Sequence, residues 1–316
     1  MAVVSFRSLG LQDLARAGGK AAHLGDLLRA GFPVPQGFAI TTEAFEAVVG
    51  ENVERSVVES LEVPPGIADE IRHGYAQLGA GDPPVAVRSS AVAEDAADAS
   101  FAGMQSTYLY VRGADDVLAA VRRCWASYFN PEAIAYRTRR SGAPGMSVAV
   151  QLMVDPRAAG VLFTLNPVSG DRSSIAIEAS YGLGVTVVGG EVTPDSYLYS
   201  KVTREPLRVQ IGTKEVECVP AEGGGTAMHP VAEELRTRPC LEDAELLQLV
   251  ELGRDVERHY GRPQDLEWAI ERATGALFLL QARPETVWTP RRVARERGGP
   301  AAHVAALYLD SRRGKP

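Results

Sequence analysis

Two short stretches near the C-terminal end carry side chains that can act together. Asp265-Leu-Glu-Trp-Ala-Ile-Glu271 and Leu277-Phe-Leu-Leu-Gln-Ala-Arg-Pro284 flank a Thr274-Gly275 turn signal, the pattern of a β-hairpin. Side chains alternate between the two faces of a strand. Glu267, Ala269 and Glu271 therefore share one face of the first strand, and Leu279, Gln281 and Arg283 share one face of the second. A turn closing around Ala273 and Thr274 sets Glu267 almost opposite Gln281. A carboxylate and an amide oxygen are hard ligands suited to Mg²⁺, which commonly keeps one or two protein ligands and takes the rest from water and phosphate. The planar fork of Arg283 suits a phosphate oxygen. Trp268, Ile270, Leu280 and Ala282 fall on the opposite face, as core residues would. The plain alternative is a solvated hairpin with a surface ion pair.

Elements upstream must bring further groups to this patch. Gly18-Gly19-Lys20 precedes Ala21, Leu24, Leu27 and Leu28 at helical spacing, and Gly31 with Pro33 ends that helix. A helix N-terminus with glycines and a lysine can receive an anion. The Walker spacing is missing, with Ala21 where a hydroxyl would stand, and alone the triplet reads more simply as a turn before an amphipathic helix. Residues 44 to 80 read as helical, with a break at Val63-Pro-Pro-Gly66. Val85-Ala-Val87 reads as a buried strand delivering Arg88 to its end, where the arginine suits either a phosphate or an ion pair with Glu94 or Asp95. A Gly-containing loop, Phe101-Ala-Gly103, leads into another strand past Thr107. Trp125, Tyr128 and Phe129 in the helical stretch from Asp115 to Arg140 read as core. The Ser-Gly-Ala-Pro-Gly145 break is the best lobe boundary, followed by a β-rich run in which Gln151 and Met153 point the same way and can face a base, or simply line a core. Leu241 to Tyr260 is an amphipathic helix leading into the hairpin.

At 316 residues, with 45% hydrophobic and 23% charged residues, the chain suits a folded protein of two lobes. A net charge of −7 gives no support to nucleic-acid binding. No apolar run is long enough to span a bilayer, and residues 1 to 14 lack the charged and apolar regions of a secretory signal. Cys124, Cys218 and Cys240 are widely spaced and fit no metal pattern. A cytoplasmic protein with reduced thiols is the expectation.

Taken in order, several segments resemble the nucleotide-binding domain of the family that includes pyruvate phosphate dikinase, phosphoenolpyruvate synthase and rifampin phosphotransferase. They are Gly-Gly-Lys-Ala-Ala-His-Leu-Gly (18–25), Gly-Phe-Pro-Val-Pro-Gln-Gly-Phe (31–38), Val-Arg-Ser-Ser-Ala (87–91), Ala-Ser-Phe-Ala-Gly (99–103), Gly-Val-Leu-Phe-Thr-Leu-Asn-Pro (160–167), Glu-Ala-Ser-Tyr-Gly-Leu-Gly (178–184), Pro-Asp-Ser-Tyr (194–197), Asp-Leu-Glu-Trp (265–268) and Leu-Gln-Ala-Arg-Pro (280–284). The resemblance implies an α+β ATP-grasp fold, two lobes pinching ATP, with lobes at 1–146 and 147–290 and a basic tail at 291–316 that suits either a docking element or a solvated tail. It implies Lys20 and Arg88 on phosphates, Gly103 and Thr107 in a loop covering them, Gln151 at adenine, Glu267 and Gln281 on Mg²⁺, and Arg283 on a phosphate. Lys20, Arg88 and Arg283 are the expected catalytic cations.

Family enzymes pass a pyrophosphoryl group to a histidine on a swivelling domain. His23, His73, His229, His259 and His303 lie in no such context, so the expectation is a Mg-ATP phosphotransferase component. It works with a separate phosphohistidine-domain protein and releases AMP and phosphate; the small-molecule acceptor is unspecified. A self-sufficient small-molecule kinase or ligase, and a non-catalytic nucleotide-binding regulator, stay open as alternatives.

Overall fold

The computed structural model describes residues 1–49, 55–91, 106–130 and 145–288. Met1–Thr286 form one compact unit. The loop with Gly103, the acidic positions Glu94 and Asp95, and the basic tail lie outside the described residues.

The first half of the chain runs β1 (Val3–Ser5), α1 (Leu14–Arg29), β2 (Gly37–Ile40), α2 (Thr42–Val48), α3 (Arg55–Ser60), α4 (Pro65–Ala76), β3 (Val85–Ala91), β4 (Thr107–Val111), α5 (Ala114–Ser127) and β5 (Met146–Leu152). Its strands form one antiparallel sheet in the order β1-β2-β5-β3-β4. The second half runs β6 (Pro156–Phe163), β7 (Ser174–Tyr181), α6 (Val185–Val188), β8 (Asp195–Ser200), β9 (Pro206–Gln210), β10 (Val216–Pro220), β11 (Thr226–Pro230), α7 (Glu233–Arg236), α8 (Asp243–Tyr260), β12 (Gln264–Glu271) and β13 (Leu277–Pro284). Six of these strands form a second antiparallel sheet, β13-β12-β6-β7-β8-β9, and β10 and β11 make a separate hairpin. The expected two-lobed α+β arrangement is therefore observed. No helix among the described residues is long and apolar enough to cross a membrane, and the three cysteines are free and buried.

The strand opened by residue 147 does not belong with the second lobe, where the sequence break suggested it. It is the central strand of the first sheet, hydrogen-bonded to β2 and β3. The physical reason is that it is buried on both faces. Met146, Val148 and Val150 enter one core with α4 and α5, while Ala149 enters the other with α1. The chain passes to the second sheet after Leu152, through Met153, Val154 and Asp155.

Helix α1 ties the sheets together, packing on β3 and β5 and also on β13. Its apolar stripe, Ala17, Ala21, Leu24 and Leu27, shares one core with Leu162, Ile175, Val250 and Trp268. The helix is kinked at Gly18, whose φ of +69° favours glycine. A Cβ there would stand 2.3 Å from Ser90 Oγ. On the second sheet, Leu246, Leu249, Val250 and Val256 of α8 cover the face formed by Leu162, Ile175, Ile177 and Leu266. Gly253 permits the close approach of Leu162, since a Cβ would sit 2.8 Å from its Cδ2.

The other face of this sheet carries a cross-strand row. Gln281 pairs with Glu267, Glu267 with Val161, Val161 with Glu178, and Glu178 with Ser196. Paired residues project to the same side, so two carboxylates stand two strands apart, about 10 Å between backbones. Burial pushes the Glu178 carboxyl above its ordinary pKa.

Two outcomes follow from this sheet. Gly160→Ala forces a Cβ to within 1.9 Å of the Glu178 carbonyl oxygen; calorimetry should show a loss of about 1–3 kcal/mol, the usual cost of overpacking. For Glu178 the sign is fixed by its raised pKa: the folded state holds the proton more tightly than the unfolded chain, so stability falls as pH rises through the folded value. Glu178→Gln should therefore melt higher than wild type at neutral pH, and the two melting curves should converge below about pH 4.

Candidate active site in the cleft between the sheets

The hairpin closes at Gly275, with φ +70°, where its amide donates to the Glu271 carbonyl. The register sets Glu267 opposite Gln281 and Asp265 opposite Arg283, as strand parity predicts. Parity then fails at one point. Trp268 pairs with Leu279, so Leu280 is an extra residue in β13, a β-bulge. Leu279, expected beside Gln281, is instead fully buried with Trp268 and Ala282. Leu280, expected in the core, turns to the cleft. The bulge leaves Glu267 and Gln281 side by side while aligning Leu279 with the core.

Arg88 reaches this patch from the opposite sheet. Its Nη2 donates to Glu267 Oε2 at 3.0 Å, and its Nη1 donates to Gln281 Oε1 at 3.3 Å. Among the described residues, the acid that Arg88 pairs with is 179 positions away in sequence. The arginine side chain is 13% exposed and that of Glu267 27%. A charge-assisted bond in such a setting is worth about 1.5–3 kcal/mol.

The remaining expected residues distribute as follows. Thr107 stands opposite Arg88 on β4 and lines the cleft with it. Lys20 is 8% exposed; its Nζ donates to the carbonyl of Ser89, the neighbour of Arg88, at 3.1 Å. Its backbone amide donates to Ser90 Oγ. Arg283 lies two pairs along the hairpin, with Nε 3.2 Å from Asp265 Oδ2. Gln151 is 3% exposed on β5 and lines the same cleft as Arg88, Thr107 and Glu267. Its Nε2 is buried without a hydrogen-bond partner. Gly103 lies outside the described residues.

The cleft has a volume of 340 Å³ and walls from both sheets. In its lining, which includes Gln151, Leu109, Met153 and Leu183 cluster together, and Arg88, Thr107 and Glu267 adjoin one another. That division suits a ligand with a planar apolar head and an anionic tail. The buried amide lacking a partner suits a ring edge with hydrogen-bonding atoms, as a purine has. A carboxylate oxygen and an amide oxygen already converge on one cationic group, the Arg88 guanidinium. Their chemistry therefore fits Mg²⁺, whose hard-oxygen preference they meet.

Sequence reasoning missed Asp265. Burial raises its carboxyl pKa, with Arg283 acting against that rise, and its Oδ1 is buried without a hydrogen-bond partner. Its position two before Glu267, opposite Arg283, was a usable signal. Glu178 was missed too; nothing short of knowing the strand order β12-β6-β7 relates it to Glu267.

A family model described as pyruvate phosphate dikinase, AMP/ATP-binding domain, matches residues 14–61 and 53–299. A probable phosphoenolpyruvate synthase of Methanothermobacter thermautotrophicus is 42% identical over 317 residues, covering 90% of this chain and 46% of that protein. The phosphoenolpyruvate synthase of Pyrococcus furiosus is 36% identical, covering 92% of this chain and 44% of that protein. A rifampicin phosphotransferase of a Streptomyces species is 38% identical, covering 91% and 36%. The chain thus spans under half the length of these curated relatives. With a family match across nearly all of the sequence, the chain belongs to the pyruvate phosphate dikinase AMP/ATP-binding domain family.

Proposed function

We propose that the protein is an ATP-grasp phosphotransferase component that holds Mg-ATP between its two sheets and passes phosphoryl groups to a histidine on another domain or protein. The observation that carries this reading is Arg88, which bridges from the first sheet to Glu267 and Gln281 on the second, in a cleft that Leu109, Met153 and Leu183 also line.

In this reading Gln151 meets the adenine edge, and Leu109, Met153 and Leu183 pack against the base. Lys20 and Arg88 neutralise phosphate oxygens from one side and Arg283 from the other, with Asp265 fixing the angle of the Arg283 guanidinium through its hydrogen bond. Glu267 and Gln281 hold Mg²⁺, which supplies charge neutralisation on the phosphates and a fixed geometry for transfer. The acceptor imidazole nitrogen attacks the β-phosphorus, the bond from that phosphorus to the oxygen bridging to the α-phosphate breaks, and AMP leaves with that oxygen. The chain's own residues contribute position and charge rather than a nucleophile.

Phosphorus NMR of the purified chain with Mg-ATP, alone and with an extract of its source, tests the reading. AMP and phosphate released only with the extract support it, whereas ADP release identifies a direct kinase or ligase. Glu267→Ala should abolish Mg²⁺-dependent nucleotide turnover while the chain still folds, melting somewhat lower for want of the Arg88 ion pair; a variant that turns over ATP normally removes Glu267 from the metal site. Arg88→Ala should weaken ATP by at least about tenfold, a loss of 1.4 kcal/mol or more, and AMP by much less in the same calorimetric titration, because Arg88 acts on the outer phosphates.

A further inference from the structure

The two oxygens assigned to the metal are both hydrogen-bonded to Arg88, through Nη2 to Glu267 Oε2 and Nη1 to Gln281 Oε1. Resting on the metal assignment above, we propose that Arg88 is the resident cation of this site. A divalent cation enters only as the phosphates of a nucleotide draw the guanidinium away.

Mg²⁺ needs these oxygens at about 2.1 Å, along free lone-pair directions. Guanidinium nitrogens at 3.0 and 3.3 Å from those oxygens point donors along such directions. Two cations in one partly buried place repel each other strongly. A metal ion alone therefore has to break both hydrogen bonds and leave Arg88 without an anion beside it. A phosphate chain alone meets Arg88 already engaged and meets the Glu267 carboxylate as a like charge. The metal–phosphate pair removes both penalties: the metal takes the two oxygens, and the phosphates take the guanidinium. Geometry favours an arginine in this role. Its fork engages two acceptors at once, which a compact ammonium does less well. A third contact, from Nη1 towards the Leu280 carbonyl at 3.5 Å, holds the fork over the bulge of β13. The coupling is reciprocal: whatever factor the nucleotide adds to metal affinity, the metal adds to nucleotide affinity.

Manganese binding followed by electron paramagnetic resonance reads this directly and needs no turnover. Wild-type protein alone should leave Mn²⁺ free, and protein with a non-hydrolysable ATP analogue should bind it at least tenfold more tightly than the analogue does without protein. Arg88→Met, which keeps the length and removes the donors, should bind Mn²⁺ without nucleotide at least tenfold more tightly than wild type. Arg283→Met removes an equal charge from the same hairpin but leaves Glu267 and Gln281 occupied, so it should gain much less. Arg88→Lys should fall between wild type and Arg88→Met, and it carries the test if the methionine variant does not fold. Mn²⁺ binding to wild type alone as tight as with the analogue overturns the proposal. So does an Arg283→Met gain equal to that of Arg88→Met, or no gain in either Arg88 variant. A separate result bears on the underlying assignment: if Glu267→Gln binds Mn²⁺ with the analogue as wild type does, the metal site itself is misplaced, whatever Arg88 does.

Discussion

A single guanidinium spanning the cleft sets the spacing of the two sheets. Arg88 is anchored at the backbone in β3, and its fork ends on a carboxylate and an amide of the β12–β13 hairpin. The hairpin must present both acceptors on one side at adjacent positions. That requirement explains the pairing of Glu267 with Gln281 and the bulge beside them. Without the extra residue Leu280, the alternation that puts Gln281 in the cleft would carry Leu279 out of the core. The bulge therefore satisfies packing and site geometry together.

The base of the cleft is held by α1. Its apolar stripe belongs to the core beneath the second sheet, while its kink at Gly18 rests against Ser90 at the end of β3 in the first. Lys20, two residues past the kink, binds the Ser89 carbonyl and the Ser90 hydroxyl through its side chain and backbone respectively. Lys20 and Arg88 are thus fixed by one joint between helix and strand. A change at Gly18 or Ser90 moves two cations at once, although neither residue carries charge.

Much of this was legible in the sequence because it depended on short-range alternation. The opposition of Glu267 and Gln281 follows from turn position and a period of two, and so does the shared direction of Gln151 and Met153. What alternation does not see is an extra residue, and the reading therefore reversed Leu279 and Leu280. It also does not see which sheet a strand joins. The Ser-Gly-Ala-Pro-Gly145 break looks like a lobe boundary, yet β5 returns to the first sheet because both its faces need covering. Arg88 shows the same limit more sharply. For Arg88, the local candidates Glu94 and Asp95 lie outside the described residues. Its acceptors lie on a distant hairpin, and chain topology alone brings them near.

Buried polar groups in the described structure differ in how fully they are satisfied. Asp195 is buried, and it accepts from Lys214 Nζ, the amides of Gly212 and Cys240, and the Tyr197 hydroxyl. That carboxylate is fully engaged, as a structural charge must be to offset its desolvation. Other buried or half-buried polar groups are satisfied less fully. Gln151 Nε2 and Asp265 Oδ1 are buried without partners, and Glu178 is half-buried with only desolvation acting on its pKa. Leaving such groups short costs about 1–3 kcal/mol each. A chain that satisfies Asp195 four times over has the means to satisfy these as well. Of these groups Gln151 lines the cleft, where a polar ligand would supply the hydrogen bond that its Nε2 lacks.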